Sequence, residues 1–360
     1  MSRARRLAAL GIGLLAAAGL LALGEQRLRA EELDKGLVVH PPDAPGLGWE
    51  YTPEALDVRM RPSAPPGHSG KRRIVVLGDS VTDGGGLAPE HTWPGQAQRL
   101  MAGRGQEVEF FNLAVFGYDA CQIATQAQHR LEGWHPDLVV YASFTNDHSR
   151  TDLLYVGQER RPVYAGATVA ELDLDPRLDP LLRLAAFRSW AGARKLHQGT
   201  EMLPEWDRYE GCMQELADTG LPLFQLLLHH HVLGLGDPDA IDEYLPRAYE
   251  NQLRIESRYR ATAERVGMPF ASVFPTLSEQ GRTFFQEGLE HDTAHPNAEG
   301  HAVFAEAFVE ALRRYDAGEP QLETLGQERW KPPNPPDGAV GTPKHKLGKR
   351  GRKRPPKQDP

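Results

Sequence analysis

Between Arg73 and Leu312 the chain alternates short apolar runs with longer amphipathic stretches, and this alternation restricts the fold more than any other feature. Arg73-Ile74-Val75-Val76-Leu77 stops at Gly78, the pattern of a strand buried on both faces. Val108–Leu113, Asp137–Ala142, Leu221–Leu228 and Pro269–Val273 read as four more strands. Thr92–Met101, Tyr118–Leu131, Ile241–Val266 and Asn297–Leu312 read as helices, the third with apolar residues at Leu245, Ala248, Leu253 and Ile255. Such alternation predicts an α/β fold, a three-layer α/β/α domain over residues 71–316 built on a parallel sheet. Residues 150–215 interrupt the pattern with prolines and charges and are expected to form an insertion or cap. A parallel sheet carries its site at the carboxyl ends of its strands, so the residues just past each strand are the ones to inspect.

The two ends differ in kind from this body. Arg3, Arg5 and Arg6 precede an uncharged run from Leu7 to Gly24, a basic start followed by an apolar core. Residues 1–30 are therefore expected to act as a signal peptide or membrane anchor, with the rest exported to a periplasmic or extracellular space. Ala22-Leu23-Gly24 has the small-x-small form of a cleavage site, and cleavage or retention is left open. Residues 31–70 are Pro-rich and read as a tether. Residues 331–360 hold nine Lys/Arg against two Asp and show no apolar period, so they are expected to be a disordered basic Pro-rich tail. With both ends basic, the formal charge of −8 understates how acidic the body is, which argues against a nucleic-acid partner. One long apolar run excludes a multi-pass membrane protein. Two cysteines exclude a disulfide scaffold and a four-thiolate zinc site. Cys121 and Cys212 could pair in an oxidising compartment, but their separation in sequence says nothing about distance, and free thiols are the expectation.

Four strand ends carry chemistry. The first strand runs into Gly78-Asp79-Ser80-Val81-Thr82-Asp83-Gly84-Gly85-Gly86, where a serine on a tight turn can be a nucleophile. Two other readings stay open there. A Gly-rich turn can cradle a phosphate, though the Lys-Ser/Thr of a P-loop and the G-x-G-x-x-G spacing are missing, and Ser80 can be a plain N-cap. Near the end of the domain, Asp292-Thr293-Ala294-His295-Pro296-Asn297 places an acid three residues before a histidine that it could orient. His291 and His295 are a weak metal pair, because Pro296 follows and no H-E-x-x-H glutamate is present. The third strand leads to Phe144-Thr145-Asn146-Asp147, and the Asn146 amide can donate to an oxyanion. After the second strand, Gly117 would let a backbone N–H approach the same oxyanion. Each motif alone is an ordinary turn; all four at strand ends in this order form a specific pattern.

That pattern resembles the SGNH/GDSL hydrolase family, named for the Ser, Gly, Asn and His of its four blocks. Gly78-Asp79-Ser80 with Thr82 and Gly84 matches the first block, Gly117 the second, Asn146-Asp147 the third, and Asp292-x-x-His295-Pro296 the fourth. Glu90-His91-Thr92-Trp93-Pro94 and Asn297-Ala298-Glu299-Gly300-His301 extend the likeness, which covers Arg73 to Leu312. The resemblance implies a flavodoxin-like domain and ester hydrolysis with no metal and no cofactor. Ser80 would attack the acyl carbon, and His295, held by Asp292, would act as base and then as acid. The Ser80 N–H, the Gly117 N–H and the Asn146 side chain would form the oxyanion hole. Phe144 stands where the third block has glycine, and is expected to reshape the wall beside Asn146 or narrow the acyl pocket. Asp79, Phe144, Asp147, His148 and His230 are the candidate substrate contacts, whereas Trp93 and Trp134 read as packing residues. The expected function is an exported serine esterase acting on acyl or acetyl esters, such as those of an acylated cell-envelope glycan or lipid. An O-acyltransferase using the same residues and a non-catalytic surface binding module are the alternatives. Membrane contact is expected only through the N-terminal segment, and the sequence leaves the oligomeric state open.

Overall fold

The computed structural model describes residues 17–31, 37–39, 49–52, 65–67, 69–149, 153–156, 161–166, 168–197, 205–229, 241–273 and 295–319. In chain order these begin with helix α1 (residues 17–31) and strands β1 (Leu37–Val39), β2 (Trp49–Tyr51) and β3 (Arg72–Gly78). The single turn α2 (Ser80–Asp83), helix α3 (Trp93–Gly103), strand β4 (Val108–Asn112), helix α4 (Ala120–Arg130) and strand β5 (Leu138–Phe144) follow. Next come the antiparallel hairpin β6 (Leu153–Val156) and β7 (Arg161–Tyr164), then α5 (Ala185–His197), α6 (Trp206–Ala217) and β8 (Leu223–Leu228). Helix α7 (Ile241–Arg265), strand β9 (Phe270–Ser272) and helix α8 (Ala298–Asp316) close the domain.

Five strands make the central sheet in the order β4-β3-β5-β8-β9, every pair parallel. All five are the strands expected from the sequence, with ends shifted by one or two residues. Counted among themselves they run 2-1-3-4-5, the flavodoxin-like order, whose direction reverses between β3 and β5. Alternation along each strand builds the three layers. Ile74, Val76, Val140, Ala142 and Phe224 face Trp93 and Ala97 of α3 and Phe304 and Phe308 of α8. Val75, Leu77, Val139, Tyr141 and Leu227 face Ile123 of α4, Met213 and Leu216 of α6 and Tyr259 of α7. Each such large side chain, once fully buried, contributes about 1.5–3 kcal/mol. Trp93 and Trp134 are buried packing residues, as expected.

Three expectations change. The interruption expected over 150–215 ends before Trp206, because α6 packs beside α4 as part of the crossover from β5 to β8. The described part of the insertion is ordered around its own small core of Tyr164, Val169, Leu172, Leu182 and Ala191. Cys121 of α4 and Cys212 of α6 are joined in a disulfide, with Cα atoms 4.9 Å apart. Sequence separation is silent here because packing of two helices brings the positions together. Finally, the stretch read as a tether contributes the antiparallel pair β1–β2, whose Trp49 is fully buried in the main core.

Helix α1 docks on the insertion. The Glu25 carboxylate accepts from the Ala185 and Ala186 N–H groups at the start of α5, at 2.8 and 3.0 Å, and Arg161 Nε donates to Glu31 at 3.1 Å. Among the described residues no helix is long and apolar enough to cross a membrane. Residues 1–16 and the basic tail 331–360 lie outside the described residues.

Candidate active site

Ser80 opens the turn α2 directly beyond β3, at the point where the sheet order reverses. The turn is tight: a Cβ on Gly78 would stand 2.8 Å from Thr82 Cβ and 2.9 Å from Ala142 O, so only glycine fits there. Asp79, not Ser80, is the N-cap, its carboxylate accepting from Val81 N–H at 2.9 Å. That leaves the Ser80 hydroxyl for another partner. His295 Nε2 lies 2.8 Å from Ser80 Oγ, across 215 residues of sequence. Both side chains keep partial exposure, so solvent or a ligand can reach the pair.

The other two strand ends converge on the same place. Val115 N–H donates to Gly78 O at 3.0 Å and Leu113 N–H to Val76 O at 2.8 Å, holding the second loop against β3 past the end of β4. Asn112 Nδ2 donates to Thr82 O at 2.8 Å and ties that loop to the nucleophile turn. Gly117 sits in the loop at φ +76°, the left-handed region that favours glycine. Across the strand pairing, the last residue of β3, Gly78, stands opposite Ala142, two residues before β5 ends at Phe144, so the nucleophile turn and the Asn146 turn leave neighbouring strand ends. The turn beyond β5 is closed by Asp147 N–H to Phe144 O and Ser149 N–H to Asn146 O, and presents Asn146 half-exposed. Asn146 Oδ1 makes no hydrogen bond among the described residues.

Of the five residues expected to touch substrate, four point inward. Phe144 is 1% exposed and belongs to the core on the α3 and α8 side, so it neither narrows a pocket nor walls Asn146. Its side chain follows the alternation of β5 into the layer. Asp147 accepts from Tyr141 Oη at 2.7 Å and from Phe144 N–H at 3.1 Å, bracing the Asn146 turn from behind. His148 stacks on Trp206, ring centroids 4.2 Å apart, and its N–H donates to Tyr259 Oη, which in turn donates to Phe144 O. Asp79 is spent on the cap. His230 and Asp292 lie outside the described residues. His229 ends β8 and bonds locally, Nε2 to Ser272 Oγ at 2.9 Å, beside Glu256.

Burial sets the charges around this centre. It pushes the Asp79 carboxyl up to about 6, partly offset by the Val81 N–H and by the nearby His295. Burial and the neighbouring Asp79 charge together push Asp147 well above the usual carboxylate range. Burial also lowers His301 to about 3, and its neutral Nδ1 accepts from Trp93 N–H at 3.0 Å.

Two groups that sequence reasoning missed stand out. Phe116 lies parallel to the His295 imidazole, with centroids 6.4 Å apart. Trp49 Nε1 donates to Phe116 O at 2.8 Å. The only sequence signal for Trp49 is a large aromatic residue in a stretch otherwise read as a tether. A cavity of about 620 Å³, lined among others by Asp83, Glu90, Gln98, Arg99 and Asn112, opens at the far end of the nucleophile turn. Ser80, Gly117, Asn146 and His295 do not line it, so it neighbours the site without forming the acyl-binding surface.

Residues 76–303 match the model of the GDSL-like lipase/acylhydrolase family. Among solved structures the chain is similar to TesA, with 17% identity over 67% of this chain and 98% of that one, TM-score 0.39. It is also similar to Axe2, an acetylxylan esterase from Geobacillus stearothermophilus, with 15% identity over 69% and 96%, TM-score 0.40. A third is the psychrotrophic esterase EstA from Pseudoalteromonas sp., with 12% identity over 69% and 100%, TM-score 0.39. No curated protein matches the sequence.

Proposed function

Because the chain belongs to the GDSL-like lipase/acylhydrolase family and so is a serine ester hydrolase, we propose that it is an exported esterase working through Ser80, His295 and Asp292. The observation that carries this reading is the 2.8 Å contact between His295 Nε2 and Ser80 Oγ. In that geometry His295 takes the hydroxyl proton as Ser80 Oγ attacks the acyl carbon. Charge then builds on the former carbonyl oxygen. The Ser80 N–H suits that oxyanion because it lies in the first turn of a helix, where no backbone acceptor is available to it. The Gly117 N–H and the Asn146 amide complete the hole. His295 next gives its proton to the leaving alcohol, and water repeats the sequence to release the acid. Asp292, three residues before His295, serves as the group that orients the imidazole.

The Cys121–Cys212 disulfide supports export, since such bonds persist in oxidising compartments. So does the basic-then-apolar N-terminus, as signal peptide or as anchor. The substrate class is an acyl or acetyl ester, with an acylated envelope glycan or lipid as the natural source in that compartment.

The test is hydrolysis of p-nitrophenyl acetate, butyrate and decanoate by the full chain beside single-residue variants. Ser80→Ala and His295→Ala are expected to remain folded and lose nearly all turnover, and Asp292→Ala to keep a small residue. Asn146→Ala should lose about 10²–10³ in kcat, the usual cost of one oxyanion donor. Full activity in Ser80→Ala refutes the mechanism. A burst of acyl-enzyme without turnover identifies an acyltransferase waiting for its acceptor.

A further inference from the structure

The oxyanion loop is gripped from outside the family-matched region. Trp49 lies in β2, well before residue 76, where that match begins. Its indole Nε1–H donates to Phe116 O at 2.8 Å, and its own carbonyl accepts from Tyr118 Oη. The two rings also meet edge to face, centroids 5.9 Å apart. One residue therefore holds the residues on both sides of Gly117. Trp49 has no exposed surface and Tyr118 is 3% exposed, so these bonds are shielded from competing water.

The geometry points to a role for Trp49 as the positioning residue of the oxyanion hole. The Phe116 carbonyl and the Gly117 N–H belong to one peptide unit. Among the described residues no peptide bond is cis, so the two groups point in opposite directions across that plane. An indole hydrogen bond on the carbonyl side thus fixes where the N–H side aims. Glycine makes the clamp necessary: with no Cβ, residue 117 is otherwise free to rotate its flanking peptides. Gly117 donates no backbone hydrogen bond among the described residues, which leaves its N–H for a ligand. A donor to the carbonyl also polarises the amide and makes its N–H a stronger donor. The same hydrogen bond anchors Phe116, whose ring lies parallel to the His295 imidazole, so one contact steadies two parts of the machinery.

This inference rests on the proposed oxyanion hole, and its test separates the two. Trp49→Phe keeps an aromatic ring and removes the N–H; replacing Trp49 with β-(3-benzothienyl)alanine keeps the full bicyclic shape without it. Each full-length variant is assayed for kcat and KM on p-nitrophenyl acetate and for inhibition by an alkylboronic acid. The boronic acid forms a tetrahedral adduct on Ser80 whose oxygen occupies the hole. The expected result is a drop of about tenfold or more in kcat with KM within twofold, matched by an equal loss of boronate affinity. A merely structural role would lower the melting temperature and leave boronate affinity per folded molecule unchanged. If Trp49→Phe fails to fold, the benzothienyl variant decides alone. Unchanged kcat and boronate affinity there, beside an Asn146→Ala variant that loses both, overturns the role of Trp49 and leaves the oxyanion hole standing. If Asn146→Ala also keeps full boronate affinity, the hole itself is wrongly assigned and this inference falls with it.

Discussion

Breaking the Cys121–Cys212 bond should destabilise the protein by an amount that can be worked from its place in the chain. The bond closes a loop of 91 residues. The chain-entropy relation for a loop of that length gives about 4.6 kcal/mol of stabilisation through the unfolded state. For a domain of this size each kcal/mol moves Tm by about 2–4 °C, so losing the bond should lower Tm by roughly 9–18 °C. The bond joins α4 to α6, and the same helices share the ion pair of Arg208 Nη2 with Asp119 Oδ2 at 3.0 Å. That contact and the apolar packing between the helices survive reduction, so the reduced protein should still fold. The assay is thermal unfolding followed by circular dichroism for the oxidised protein, the dithiothreitol-reduced protein and a Cys121→Ala/Cys212→Ala variant. Thiol labelling under denaturing conditions fixes the redox state of each sample. A fall of less than about 3 °C with both thiols shown to be reduced would refute the reasoning. So would two titratable thiols in protein recovered from an oxidising compartment.

Two further outcomes follow from buried groups. His301 is lowered to about 3 by burial, and His148 to about 4 by burial and the Arg258 charge, while an unfolded histidine titrates near 6.5. Between those values the unfolded chain binds protons that the folded one does not, so stability is complete above pH 6.5 and falls with pH toward 3. Urea midpoints measured from pH 7.5 to 4.5 should therefore decline less steeply in His301→Gln, which keeps an acceptor for Trp93 N–H; parallel slopes would refute this. Phe144→Ala should cost about 3–5 kcal/mol through the cavity it leaves, yet leave the order of preference among acetate, butyrate and decanoate unchanged. A switch in chain-length preference would place Phe144 at the acyl pocket after all.

Much of this protein is legible in its sequence, and the reason is local. A run such as Ile74-Val75-Val76-Leu77 can be satisfied only by burying both faces, which calls for helices above and below and hence a parallel sheet. The nucleophile turn is equally local, since Gly78 and Asp79 do their work within four residues of Ser80. The sheet order then requires the ends of β3 and β5 to be neighbours, and from that the pairing of Ser80 with the Asn146 turn follows. What only the tertiary structure decides are the contacts that depend on where helices and outlying strands come to rest. Cys121 meets Cys212 because α4 and α6 pack side by side. Phe144 turns into the core because the register of β5 sends it there, not because phenylalanine avoids a cleft. Trp49 reaches the Gly117 loop because β1 and β2 fold back onto the domain, and no period in a Pro-rich stretch announces that. Periodicity records which face of an element is buried; it carries no information on which distant side chain will be waiting there.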